Sequence, residues 1–108
     1  MIIVNKNEGT KIPYEQMGNK ICFDDDLTIN LAKREEDDAV HIDVCFDADD
    51  TLVVGAAAGR RYVAEIDIPA REYVEVEEEA EGEEHSKTRR DPVPFDMDKV
   101  TLTLWAID

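Results

Sequence analysis

The chain has 108 residues, 43% of them apolar, with 12 basic against 27 acidic side chains for a formal charge of −15. That length predicts a single domain over 1–108, burying roughly two-thirds of its unfolded surface, and the apolar content excludes a disordered acidic tail. The charge disfavours free nucleic acid as a ligand, because it repels phosphates, and no apolar run approaches a membrane-spanning helix.

The opening Met1–Asn5 is too short for a signal peptide, so a cytoplasmic location is expected. The cysteines, Cys22 and Cys45, agree. They have no partners at zinc-finger spacing and read as small apolar side chains in a reducing compartment.

Taken in chain order, Ile2–Val4 is a short strand candidate. Pro13 to Met17 predicts one helical turn, with proline at its first position and Gly18 as the stop. Lys20–Phe23 reads as a strand. Residues 27–36 are ambiguous: Asp26 suits a helix cap, whereas Leu27, Ile29 and Leu31 alternate and Thr28 and Ile29 are β-branched, which favours a strand.

Period-two alternation dominates from there. Val40, Ile42, Val44 and Phe46 alternate with His41, Asp43 and Cys45, and Tyr62, Ala64, Ile66 and Ile68 with Arg61, Val63, Glu65 and Asp67. Successive strand side chains leave opposite faces, so each run offers one face to a core. Leu52–Val54 and Tyr73–Val76 add shorter strands. Val100, Leu102, Leu104 and Ala106 close the pattern; that run is apolar on both faces in its second half, as in a central strand. The sum predicts an all-β fold, an antiparallel sandwich or small barrel of about seven or eight strands.

Three Phe-Asp-x-Asp segments, at Phe23, Phe46 and Phe95, read as a recurring turn device, since aspartate bonds the backbone two residues on. Asp47, Asp49 and Asp50 open like a calcium loop. They then lack the later glycine and the closing glutamate, so no cofactor is expected.

Residues 77–94 read as a protruding acidic loop. Eight of the thirteen residues from Glu72 to Glu84 are acidic, and Lys87, Arg89, Arg90, Pro92 and Pro94 follow. Glu77, Glu78, Glu79, Glu81, Glu83 and Glu84 are the candidate interaction residues, with Glu83 and Glu84 offset by Arg89 and Arg90. The stretch 72–90 holds only −5 of the net charge, so the remainder is spread over the surface.

Enzyme chemistry is not expected. Ser86, the only serine, lacks the strand-to-helix elbow of a nucleophile. His41, Asp43 and Cys45 share one strand face, but i to i+2 spacing of roughly two 3.3 Å rises places such short side chains out of hydrogen-bonding reach. Catalysis there would require partners from a neighbouring strand. Gly55-Ala56-Ala57-Ala58-Gly59 lacks the Lys-Ser/Thr of a phosphate loop and reads as a turn.

The segments Met1–Gly9 and Ile12–Glu15, together with Pro92–Asp98 and Thr101–Ala106, resemble small uncharacterised proteins encoded in prophage regions of Gram-positive gut bacteria. That resemblance carries over no catalytic or binding residue. It implies a virion part or an antagonist of host defence. The expectation is a non-enzymatic structural or interaction protein, such as a phage head or tail accessory subunit, acting through sheet-edge or face association with itself or a protein partner. The alternatives are an acidic nucleic-acid mimic and, third, a calcium-assisted binding module.

Overall fold

The computed structural model describes residues 1–78 and 87–108. Among these described residues ten strands run in chain order: β1 (Ile2–Asn5), β2 (Tyr14–Met17), β3 (Lys20–Phe23), β4 (Leu27–Asn30), β5 (Val40–Phe46), β6 (Leu52–Val54), β7 (Arg61–Ile68), β8 (Tyr73–Glu78), β9 (Lys87–Pro92) and β10 (Thr101–Leu104). The only helical pieces among the described residues are single 3₁₀ turns at Ala32–Arg34 and Met97–Lys99. The protein is all-β.

Five strands form one sheet in the order β1-β10-β7-β5-β6, and β2-β3-β4 form a second. The sheets remain open, with no closed barrel. Alternation explains the layering. Ile42 and Val44 on β5, Ala64, Ile66 and Ile68 on β7, and Leu102 and Leu104 on β10 are buried on one face of the larger sheet. They join Ile21, Phe23, Ile29 and Leu31 from the β3–β4 segment in one core cluster, completed by Ile12, Met97 and Val100. The smaller sheet thus closes over the larger, as in a sandwich.

Several expectations require correction. The helical turn over residues 13–17 is strand β2, and Gly18 is no helix stop. At φ +61° it opens the two-residue Gly18-Asn19 connection to β3, the glycine-first geometry of a type II′ hairpin. The ambiguous 27–36 stretch divides into strand β4 and a 3₁₀ turn. The sheet is not wholly antiparallel, because β1 pairs parallel to β10, Ile2 opposite Thr101. β10 lies one strand in from the edge. Its outward residues Thr101 and Thr103 are half-buried, and just beyond its end Trp105 stacks on Tyr62 of β7 with centroids 5.2 Å apart.

Of the loop expected over residues 77–94, Glu77 and Glu78 end β8 and Lys87–Pro92 are β9, while 79–86 lie outside the described residues. β8 and β9 form their own two-stranded sheet, in which Glu75 lies opposite Arg90 and Glu77 opposite Thr88. Arg90 sits over the Tyr73 ring at 4.6 Å; Glu83 and Glu84, the residues that Arg89 and Arg90 were expected to offset, lie outside the described residues. The molecule is elongated, with a radius of gyration of 18.8 Å against about 13 Å for a compact chain of this size. The base of the β8–β9 arm is fastened by charge. Arg71 meets Glu35 and Asp37, each at 3.2 Å, and Lys99 meets Glu72 at 2.8 Å.

The aspartate turns behave as turns. Asp24 and Asp25 both have positive φ (51° and 52°), and the Asp26 N–H donates to the Phe23 carbonyl at 3.0 Å, a type I′ geometry between β3 and β4. Aspartate at the second central position is strained where glycine is not. Asp25→Gly is therefore expected to stabilise the fold by about 0.5–1 kcal/mol, read as a higher urea midpoint at unchanged slope. A lower midpoint would show that the Asp25 carboxylate contributes more than its backbone strain costs.

Candidate functional site

The outward face of the five-stranded sheet gathers the chemistry-bearing side chains. Antiparallel pairing of β5 with β7 sets His41 opposite Asp67 and Asp43 opposite Glu65. Odd-numbered positions of both strands point away from the core here, so an imidazole and three carboxylates converge. His41 Nδ1 lies 2.6 Å from Asp67 Oδ1, and His41 Nε2 lies 2.8 Å from Asp43 Oδ1 and 3.5 Å from Glu65 Oε1.

The contact between His41 and Asp43 corrects the spacing argument made from sequence. Strand rise separates the two backbones, but the imidazole is long enough to lean along the strand and close the gap. The expected need for partners from a neighbouring strand is met by Glu65 and Asp67 instead of by a thiol.

Two further groups brace the cluster. Trp105 Nε1–H donates to Glu65 Oε2 at 2.8 Å, fixing the carboxylate from β10's side. Lys6 sits over the same indole at 5.4 Å. The cluster also creates a local negative potential. Hydrogen bonds to Asp67 and Asp43 raise the His41 pKa above its ordinary value. Burial, with Asp43 and Glu65 adding to it, raises that of the Cys45 thiol. Asp43 is the chief cause of a raised Tyr62.

Cys45 is buried at 2% exposure and Cys22 is half-buried, neither in a disulfide. Cys45 faces outward on β5 but is roofed by the turn at Gly59, where a Cβ would lie 2.7 Å from the Cys45 Cβ. The thiol is therefore shielded from the histidine cluster's solvent side.

Two of the calcium-like carboxylates, Asp47 and Asp50, make contacts within the fold. Asp47 Oδ1 accepts the N–H groups of Asp49 (2.8 Å) and Thr51 (3.0 Å), while Asp50 pairs with Arg61 at 3.2 Å. Asp47, Asp49 and Asp50 thus form a capped turn between β5 and β6. Of the candidate interaction residues, Glu77 is exposed on β8 and Glu78 ends that strand opposite Lys87. Glu79, Glu81, Glu83 and Glu84 lie outside the described residues.

Sequence reasoning did not anticipate a second surface. All four residues of edge strand β1 are exposed, including Ile2 (53%), Ile3 (42%) and Val4 (42%). Three consecutive apolar residues bare on both faces at a sheet edge are unusual, because such edges template pairing with other chains. The signal was present as an apolar run with no polar alternation, but only the pairing scheme shows that β1 lies outermost.

Among the described residues, no helix is long and apolar enough to cross a membrane. The chain matches no protein-family model, no curated protein sequence and no solved structure.

Proposed function

We propose that this protein is a small non-enzymatic structural subunit that assembles by pairing its β1 edge with β1 of a second copy. The observation that carries this reading is the bare apolar edge. On its inner side β1 is satisfied by β10, with the Ile2 N–H donating to the Val100 carbonyl and the Lys6 N–H to that of Leu104, each at 2.8 Å. Alternation then turns the N–H groups of Ile3 and Asn5 outward, without a strand to receive them.

Electrostatics favour a second copy as the occupant. A chain of net charge −15 repels itself over most of its surface, yet residues 1–7 contain no acid and one lysine. Two copies can meet there with little repulsion, joining their large sheets into one continuous sheet. A two-fold dimer built this way suits a phage head or tail accessory subunit, the setting that the sequence resemblance implies. The β8–β9 arm weighs against the nucleic-acid mimic, since Lys87, Arg89 and Arg90 lie along a strand beside the glutamates.

Light scattering on the eluting protein tests the reading. Wild type is expected as a dimer at micromolar concentration, and Val4→Lys, which places a cation on an already exposed edge position, as a monomer with unchanged melting temperature. A wild-type monomer at all accessible concentrations, or assembly indifferent to Val4→Lys, would refute edge pairing.

A further inference from the structure

We propose that His41, Asp43 and Glu65 form a binding site for a divalent transition-metal cation of the zinc type on the outer face of the large sheet. The inference is independent of the edge-pairing reading. It starts from a cross-strand pair that is unfavourable as it stands: Asp43 and Glu65 are directly opposite each other on β5 and β7, and like charges in that relation destabilise a sheet. A third carboxylate, Asp67, adjoins them through the same imidazole. One histidine cannot neutralise three acids.

The donor atoms are arranged for chelation. His41 Nε2 and one oxygen each of Asp43 and Glu65 lie within 4.8 Å of one another. Tetrahedral zinc, with bonds of about 2.0–2.1 Å, holds its ligand atoms roughly 3.4 Å apart. The 3.5 Å from Nε2 to Glu65 meets that spacing, and the 2.8 Å to Asp43 requires only a small side-chain rotation outward. A cation there takes the place of the Nε2 proton, the group that now separates two acceptor oxygens from a ring nitrogen.

Outer contacts orient two of the three ligands. Asp67 accepts from His41 Nδ1, which directs Nε2 at the site, in the carboxylate–histidine–metal arrangement that fixes the tautomer of metal-bound imidazoles. Trp105, which follows β10 and lies outside the cluster, holds the distal oxygen of Glu65 and leaves the other free to coordinate. The side chains of Asp43 and Glu65 are only 22% and 23% exposed, whereas His41 at 46% leaves the site open to solvent on one side. Three protein ligands and an open position would give the cation a water as its fourth ligand.

The donor set selects the metal. An imidazole nitrogen with two carboxylates suits zinc and its neighbours, whereas calcium and magnesium prefer six or more oxygens. Nothing else within the described residues gathers a comparable set.

Calorimetric titration of the chelator-treated full chain with Zn²⁺ tests the site, with NMR of the His41 ring as a second readout. One Zn²⁺ per chain is expected, perturbing the His41 resonances, with Ca²⁺ and Mg²⁺ at least a hundredfold weaker. Asp43→Asn and Glu65→Gln should each weaken Zn²⁺ binding tenfold or more. Because these isosteric changes also relieve like-charge repulsion, the metal-free variants should melt no lower than wild type while losing the Zn²⁺-induced rise in melting temperature. As positioning residues, Asp67 and Trp105 should act through their partners, with Asp67→Asn and Trp105→Phe weakening Zn²⁺ by about 10–100-fold. Asp49→Asn, in the distant turn, should change nothing. No Zn²⁺ binding, or binding that leaves the His41 ring unperturbed and is insensitive to Asp43→Asn and Glu65→Gln, would overturn the proposal.

Discussion

Phe23→Ala is expected to destabilise the fold by about 3–5 kcal/mol, the range for deleting a fully buried aromatic side chain. Phe23 has no exposed surface and is the largest such side chain in the described core. It sits on β3, the middle strand of the small sheet, between Tyr14 on β2 and Leu27 on β4. The small sheet reaches the large one through few side chains, chiefly Ile21, Phe23, Ile29 and Leu31, so removing the largest leaves a void that short strands cannot collapse to fill. Domains of this size have about 5–15 kcal/mol of stability in total, and each kcal/mol shifts the melting temperature by about 4–8 °C. Urea unfolding should show a much lower midpoint at similar slope, or a chain already unfolded in buffer. A loss below about 1 kcal/mol would mean that the two sheets do not share one core.

Gly59→Ala is the second large effect, expected at about 1–3 kcal/mol through overpacking. An added Cβ would meet Cys45 Cβ at 2.7 Å and Cys45 Sγ at 2.9 Å. The sulfur can rotate away, but the Cβ of Cys45 is fixed by the backbone of β5, so the turn or the strand must move. This region is already irregular, because the register between β5 and β7 shifts between Val44 and Cys45. Combining Gly59→Ala with Cys45→Ala should recover only part of the loss, since the closer of the two clashes remains. Full recovery would place the whole conflict in the sulfur, and no loss in the single variant would show that the turn is free to lift.

Where side chains alternate, the strands were legible. β5, β6 and β7 have the limits that their apolar periodicity implies, because each buries one face of the large sheet. β2 was not legible. All four of its residues are exposed, so nothing in their polarity betrays a strand, and Pro13 and Gly18 imitate the ends of a helix. β9 was hidden for a related reason: Lys87 to Pro92 contains no apolar residue, and its strand form depends on pairing with β8 across an intervening segment.

The histidine cluster was half legible. His41 and Asp43 stood out on one strand face, and Glu65 and Asp67 alternated on another run. What local sequence could not supply was the register that sets those four residues opposite one another, which depends on contacts more than twenty positions apart. The N–H of Trp105 was further hidden, coming from the residue just after β10, forty positions from Glu65.

The parallel pairing of β1 with β10 has a consequence for the order in which the protein takes shape. During ribosomal synthesis, the first strand emerges early but has no seat until residues 101–104 have been made. Over that interval its apolar edge is exposed to neighbouring nascent chains, a hazard that grows with the sequence separation of a contact. β10 therefore latches β1 long after β1 is made, and a ribosome-bound chain halted before residue 100 should leave Met1–Asn5 open to proteolysis while the segments between them begin to fold.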